Sequence, residues 1–238
     1  MSPAPPSLTA LVWLGRLTVG ATVLALVGVG TRLALLALLP LLLVQEAWLN
    51  CAGKTTHGTI ALVYAVLFLA LSPCDRALAL GPALSRRSRT PGASTDGDSA
   101  IVAASRLARW PIDLLYFEIS TFYLLAGIAK LRASGLAWAD GSTLQYHLLT
   151  AGGALAEIVA AHPWLCAWLS GLTLSFELLA PLGMVRSLRG PILCAGLAFH
   201  LGTAALLDIS FLPLVALYAV FVPWRWIGAK VVGRRGAG

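Results

Sequence analysis

The run LTALVWLGRLTVGATVLALVGVG (Leu8–Gly30) contains one charged side chain, Arg16, among apolar and small residues. A run of this length and composition is typical of a helix that crosses a lipid bilayer. Further apolar runs, rich in Leu and Ala, recur along the chain without the alternation of a barrel wall. Because only helices and closed barrels satisfy the backbone in lipid, these runs predict an all-α, polytopic membrane helical bundle.

The composition excludes a water-soluble fold. Hydrophobic residues make up 58% of the chain and charged residues 11%, whereas soluble domains carry about 25% charged residues. The net charge of +7 does not indicate nucleic-acid binding, because the basic residues fall between the apolar runs, as in the loops of membrane proteins. We therefore expect the lipid bilayer, and no nucleic acid, as a partner.

We predict seven spans in a single transmembrane domain over residues 1–238. A flexible cytoplasmic loop is expected at about 75–109, whose centre is rich in Ser, Gly, Arg and Asp. The weakly apolar segment 146–162 is short for a span, which predicts one interfacial or re-entrant helix. The seven predicted spans cover about 8–30, 33–49, 57–71, 110–129, 164–184, 191–207 and 211–224.

The positions of Lys and Arg predict the orientation in the membrane. With the long loop in the cytoplasm, thirteen of the 17 Lys and Arg residues are cytoplasmic, which is the distribution that the positive-inside rule favours. This orientation places the N-terminus outside, the C-terminus in the cytoplasm, and Lys130 and His57 toward the outer face. Lys130 therefore lies on the sparsely charged side, and Arg16 lies inside a span.

The cysteines show no CxxC pair and no metal-ligand spacing, so we predict no metal site. We interpret them as small buried apolar residues. A disulfide between Cys51 and Cys166 is the alternative, because both fall near the predicted outer surface.

Lys130 lies in the stretch YFEISTFYLLAGIAKLRASGLAWADG (Tyr116–Gly141), one residue beyond the predicted end of the fourth span. A low dielectric disfavours the ammonium form of lysine, and a neutral lysine is a competent general base. The alternative is an interfacial lysine whose ammonium group reaches to water.

Three other ionisable residues are candidates because a charge in lipid is costly. His57 opens the third span on the same predicted side as Lys130, where it could transfer a proton or cap the helix. Glu177 and His200 could pair across the bundle, or Glu177 could make a polar contact at a kink near Pro181.

Three regions of the sequence resemble one known family. The run YLLAGIAKL (Tyr123–Leu131), followed by Trp138, Gly141 and Tyr146, resembles the core of the vitamin K-dependent gamma-carboxylase-like family, also called the horizontally transferred transmembrane (HTTM) family. The run LGRLTVGATVL (14–24) resembles the family's first helix, although Gly15 replaces its aromatic residue. The segment FHLGTAALLDISFLPLVAL (199–217) resembles the family's late Phe-His segment.

The resemblance implies a chemistry for Lys130. In the carboxylase, the matching lysine deprotonates vitamin K hydroquinone, which oxygen converts to an epoxide while carbon dioxide carboxylates a glutamate. The resemblance thus implies a lyase or epoxidase with a reduced quinone, vitamin K or menaquinol-like, as cofactor, together with O2 and CO2. It gives His57 an assisting catalytic role. The residues expected to line the substrate or cofactor pocket are Arg16, Tyr123, Trp138, Gly141, Glu177 and His200.

Two function classes follow from these observations. One is a membrane enzyme that uses a lipophilic quinone and a peptide or protein substrate; the large C-terminal substrate-binding domain of the carboxylase has no counterpart in this sequence, so its substrate is not expected here. The other is a non-enzymatic membrane partner in peptide maturation, export or immunity, with Lys130 as an interfacial anchor. A transporter is disfavoured, because the sequence shows neither internal repeats nor paired broken helices.

Overall fold

The structure, a computed structural model, describes residues 6–51, 57–72 and 109–222. The residues described are predominantly helical and contain no strand. In these ranges the α-helices are α1 (Leu8–Val27), α2 (Thr31–Cys51), α3 (His57–Leu71), α4 (Trp110–Ser134), α5 (Ser142–Ala151), α6 (Ala154–Ala160), α7 (Pro163–Leu179), α8 (Arg186–Leu207) and α9 (Leu212–Leu217). Short 3-10 helices follow three of them, at Gly135–Asp140, Ala180–Met184 and Tyr218–Phe221. The predicted all-α fold class is confirmed.

Five of the helical segments are long and apolar enough to cross a membrane, namely those that contain α1, α2, α4, α7 and α8. The segments at the third and seventh predicted spans, Thr59–Leu71 and Leu212–Phe221, are apolar but shorter. Many large apolar side chains are exposed, including Trp164 and Trp168 on α7. Exposure on this scale is unfavourable in water and normal against lipid. An integral membrane bundle is therefore confirmed, while the total of seven spans stays a prediction.

The chain forms two compact units, residues 1–122 and 123–238, and α4 passes from one into the other. In the first unit, α1, α2 and α3 pack through a cluster of small and branched apolar residues around Ala21, Leu38 and Ala70. Two polar contacts join the same helices: Gln45 donates to Thr18 Oγ1 at 2.5 Å, and Arg32 donates to the carbonyl of Ala70 at 3.1 Å.

In the second unit, the short helices α5 and α6 pack against α7 around Leu148, Ala160 and Cys166. They replace the single interfacial or re-entrant helix that we predicted over 146–162. The break between them falls at Gly152 and Gly153, which both have positive φ, a conformation that favours glycine. Neither helix is long enough to span a bilayer.

Two predicted helix boundaries are wrong. The fourth helix continues beyond Ala129 to Ser134, because Lys, Leu, Arg and Ala are all good helix formers; it stops before Gly135, whose φ is +60°. Lys130 thus lies inside α4 and not beyond it. The sixth predicted span starts at Arg186, five residues earlier than Pro191, and the helix continues through that proline.

The predicted flexible loop at about 75–109 lies outside the described residues, except for Arg109. The single domain and the orientation of the termini stay predictions.

Candidate functional site

Lys130 and Glu177 form an ion pair in the second unit. Lys130 Nζ donates to Glu177 Oε1 at 2.6 Å. The Lys130 side chain is 24% exposed and that of Glu177 only 4%. Lys130 lies in the last two turns of α4, and Glu177 lies near the end of α7, so the pair joins two helix ends.

The close approach of α4 and α7 depends on Gly127. A Cβ at this position would lie 3.1 Å from Glu177 Cβ and 3.0 Å from Leu178 Cδ2. Gly127 is one turn before Lys130 on the same helix face. A larger residue would therefore push α7 away at the place where the two charged groups meet.

Trp138 covers the ammonium group of Lys130. The 3-10 helix Gly135–Asp140 carries Trp138, and Lys130 Nζ lies 5.1 Å from the centre of its ring system, within the range of a cation–π contact. This segment ends at Gly141, which has φ +88° and lies so close to Cys166 and Ala167 that a Cβ would overlap their backbone. Gly141 thus fixes the segment that carries Trp138 against α7.

The second carboxylate oxygen of Glu177 is buried and has no hydrogen-bond partner among the described residues. A buried carboxylate oxygen without a partner is costly. Oε2 can therefore accept a hydrogen bond from a hydroxyl group while Oε1 remains paired with Lys130.

Tyr123, His200 and Tyr218 form a second polar cluster in the same unit. The Tyr123 hydroxyl lies 2.5 Å from His200 Nε2 and 2.6 Å from the Tyr218 hydroxyl. All three residues are buried. Gly196, one turn before His200 on α8, makes room for this contact, because a Cβ there would overlap the Tyr218 hydroxyl.

Aromatic rings connect and enclose this second cluster. Phe176, the residue before Glu177, packs edge-on against Tyr123 with ring centres 4.7 Å apart. The His200 ring lies 5.1 Å from both Phe199 and Phe211. Phe176 thus contacts the neutral cluster, which is Tyr123, His200 and Tyr218. The next residue of α7, Glu177, belongs to the charged cluster, which is Lys130 and Glu177.

The structure brings together five of the eight residues that we predicted for the site, in two neighbouring groups: Lys130, Glu177 and Trp138, and Tyr123 with His200. The predicted alternative pairing of Glu177 with His200 is not formed, because each has another partner. Gly141 packs against the backbone of α7 next to the segment that carries Trp138, so its role is structural. Lys130 has a carboxylate partner that the sequence hypothesis of an isolated base did not include.

Arg16 and His57 belong to the first unit. Arg16 is exposed on α1, 5.2 Å above the ring of Trp13, and lines an apolar groove of about 730 Å³ between α1 and α2. His57 is the first residue of α3, and its side chain is outside the description. Their participation in one site with Lys130 stays a prediction. Cys51 and Cys166 are both free thiols, so the alternative disulfide is not formed.

Sequence reasoning did not identify Tyr218. It lies toward the end of the last predicted span, where aromatic residues are common. Its partner Tyr123 is 95 residues away in the sequence. The spacing of Tyr218 from His200 gives no periodic signal, because α8 and α9 are separate helices.

Comparison with known families gives one result. The model of the HTTM domain matches residues 84–226, which is more than half of the chain and includes both polar clusters of the second unit. Arg16 and His57 lie outside the match. No curated protein and no solved structure was found to match the chain. The chain is a member of the HTTM domain family of integral membrane proteins, a family associated with vitamin K-dependent carboxylase-like proteins.

Proposed function

We propose that the protein is a hydroquinone-dependent membrane enzyme in which Lys130 takes a phenolic proton from a lipophilic quinol. The observation that carries this proposal is the partly buried Lys130–Glu177 pair, in which the second carboxylate oxygen of Glu177 has no partner among the described residues. A reduced quinone, such as vitamin K hydroquinone or a menaquinol, can reach such a pair from the bilayer. When bound, it would supply the reducing power for reaction with O2, and its epoxide would be the product.

The pair can carry out two proton transfers, one from Lys130 to Glu177 and one from the quinol to Lys130. Lys130 must be a neutral amine in order to accept the phenolic proton, so its own proton must first pass to Glu177 along the 2.6 Å contact. Afterwards the lysine is an ammonium group, Glu177 is a carboxylic acid, and the quinol is an anion. On binding, Glu177 Oε2 can accept the hydrogen bond of the quinol hydroxyl and so hold the hydroxyl beside the amine, and the hydroxyl then turns its hydrogen from Oε2 to Lys130 Nζ for the transfer. Trp138 covers one side of the amine, which limits the access of water to the place where the quinol anion would form.

The test is epoxide formation by the purified full chain in nanodiscs, supplied with reduced menaquinone and O2, with and without CO2. Lys130→Ala should lower the rate by about a hundredfold or more, as loss of a general base does. Arg132→Ala is the matched control, since Arg132 is an exposed cation two residues away on the same helix. Wild-type rates in Lys130→Ala, or no epoxide from the wild type, would refute the proposal.

His57 is proposed to assist on the same face, as the family resemblance implies. His57→Ala should then lower the rate less than Lys130→Ala does, while His147→Ala, an exposed histidine of α5, should leave the rate unchanged. Equal rates in His57→Ala and the wild type would remove His57 from the proposed site.

The proposed orientation has the N-terminus outside, the C-terminus in the cytoplasm, and Lys130 and His57 toward the outer face. Ser142 is exposed and follows the 3-10 helix after α4, and Ser187 is exposed in the first turn of α8. In a cysteine-free background, Ser142→Cys should react with a membrane-impermeant maleimide on intact cells, and Ser187→Cys only after lysis. The opposite labelling pattern would invert the orientation.

The second candidate function is a non-enzymatic membrane partner in peptide maturation, export or immunity. The ion pair between α4 and α7 favours this alternative, because such a pair can have the purely structural role of holding two helices together. In that case a Lys130→Met/Glu177→Leu double variant, which replaces the pair by apolar contact, should retain the protein's biological activity in a complementation assay. Loss of activity in a folded double variant would argue against this alternative.

A further inference from the structure

His200 has one ring nitrogen that the neutral cluster does not use. Nε2 contacts the Tyr123 hydroxyl at 2.5 Å, whereas Nδ1 is buried and has no hydrogen-bond partner among the described residues. The residue is 3% exposed, so solvent at the surface does not reach it. If Tyr123 donates to Nε2, then Nδ1 carries the ring proton and lacks an acceptor. If Nε2 donates to Tyr123, then Nδ1 lacks a donor.

Either tautomer leaves the buried Nδ1 of His200 without a hydrogen-bond partner among the described residues, which is energetically costly. A hydroxyl group can fill it in both cases, because it donates and accepts. The surroundings restrict what carries this hydroxyl: Phe199 and Phe211 lie with their ring centres 5.1 Å from that of His200. Aromatic rings around the binding atom favour an aromatic carrier of the hydroxyl.

Glu177 Oε2 is a second buried polar atom of this unit that has no partner among the described residues. Glu177 follows Phe176, whose ring packs against Tyr123, the partner of His200. The third buried polar atom of this unit without a partner in the described residues, Ser170 Oγ, lies seven residues earlier on α7, about two turns away. The two atoms, Glu177 Oε2 and His200 Nδ1, belong to clusters that the consecutive residues Phe176 and Glu177 connect. Such a pair of atoms suits a ligand that carries two polar groups on one aromatic ring.

We propose that His200 Nδ1 binds the second ring oxygen of the hydroquinone, the one remote from Lys130. The proposal rests on the hydroquinone chemistry proposed above. It makes His200 a binding and orienting residue that selects a ring with two oxygens on opposite sides over a ring with one. Tyr123 and Tyr218 hold the imidazole in place through its other nitrogen.

The test uses two substitutions that separate the nitrogens of the imidazole. The amide of Asn reproduces the position of Nδ1, and the amide of Gln reproduces that of Nε2. His200→Gln therefore keeps a partner for Tyr123 and loses the proposed ligand contact. His200→Asn keeps the ligand contact and loses the contact with Tyr123. Thermal unfolding of both variants in micelles reports whether each folds.

Binding is measured directly, under anaerobic conditions, with tritiated 2-methyl-1,4-naphthohydroquinone and with the two methylnaphthols that lack one or the other hydroxyl. The wild type and His200→Asn should bind the hydroquinone about tenfold more tightly than the better-bound naphthol, the size expected for one buried hydrogen bond. His200→Gln should bind the two with equal affinity.

Two results would overturn the proposal: discrimination between hydroquinone and naphthol by His200→Gln that equals that of the wild type, or no binding of hydroquinone by the wild type. The first would show that a water molecule or packing alone satisfies Nδ1. Because the assay measures binding and not turnover, tight binding without epoxide formation would refute the proposed function and leave the role of His200 standing.

Discussion

The two polar clusters of the second unit lie against neighbouring residues of α7, yet they are built differently. Lys130 and Glu177 are charged residues near helix ends, and the lysine is partly exposed. Tyr123, His200 and Tyr218 carry no formal charge, are buried, and have aromatic rings around the imidazole. The charged cluster thus combines a partly exposed cation with a buried carboxylate. The neutral cluster is a set of hydrogen bonds in which His200 Nδ1 has no partner among the described residues.

Because of this difference, the two clusters should be sensitive to different kinds of substitution. A buried carboxylate tolerates the loss of its counter-ion poorly, so the charged cluster should be sensitive to the identity of its residues. The neutral cluster depends on close packing around Gly196 and Phe176, so it should be sensitive to added volume. Substitutions of charge and substitutions of volume separate the two behaviours.

The largest effect on stability is expected for Lys130→Met. The substitution leaves the Glu177 carboxylate almost fully buried without its cation, which should lower the free energy of unfolding by about 3 kcal/mol. Adding Glu177→Leu should recover most of that loss. Unfolding by SDS in mixed micelles measures both variants. A double variant that is less stable than Lys130→Met would show that the pair contributes more than its mutual attraction.

Gly141→Ala should have the next largest effect, about 2 kcal/mol, because the new methyl group would overlap the backbone of Cys166 and Ala167 at φ +88°. Gly135→Ala is the matched control: its φ is +60°, but nothing lies within 4 Å of the added Cβ, so only backbone strain of about 1 kcal/mol is expected. Gly141→Ala should also displace Trp138 and lower the proposed activity, whereas Gly135→Ala should not. Equal destabilisation by the two would mean that the close packing of Gly141 is unimportant.

Much of this architecture could be predicted from the sequence, since lipid imposes helices on any long apolar run. The runs at 8–30 and 33–49 locate α1 and α2 to within a few residues. The site was harder to predict. Lys130 has a local sequence context that identifies it, but its partner Glu177 is 47 residues away and reaches it only through tertiary packing. Periodicity cannot reveal such a pair, so the sequence left the partner of Glu177 open between His200 and a polar contact at a kink.

Gly196→Ala should lower the free energy of unfolding by about 1 kcal/mol through the loss of one buried hydrogen bond, because the methyl group would displace the Tyr218 hydroxyl from Tyr123. Gly202→Ala on the same helix is its control, as open space surrounds that position and alanine is the better helix former. Since Lys130 and Glu177 do not contact Gly196, the Lys130→Met penalty should be the same in both backgrounds. A changed penalty would show that the two clusters act as one network.

Trp138→Leu should have the smallest effect, about 0.5 kcal/mol, the size of a cation–π contact with a partly exposed lysine. A double-mutant cycle isolates that contribution: the loss should appear when Lys130 is present and vanish in the Lys130→Met background. Trp138→Phe should lose less than Trp138→Leu, because a phenyl ring still presents a negative face to the ammonium group. If Trp138→Leu is equally destabilising with and without Lys130, the indole serves to pack the 3-10 helix against α7. The charged cluster would then depend on packing as the neutral one does, and the contrast between them would be confined to the ion pair itself.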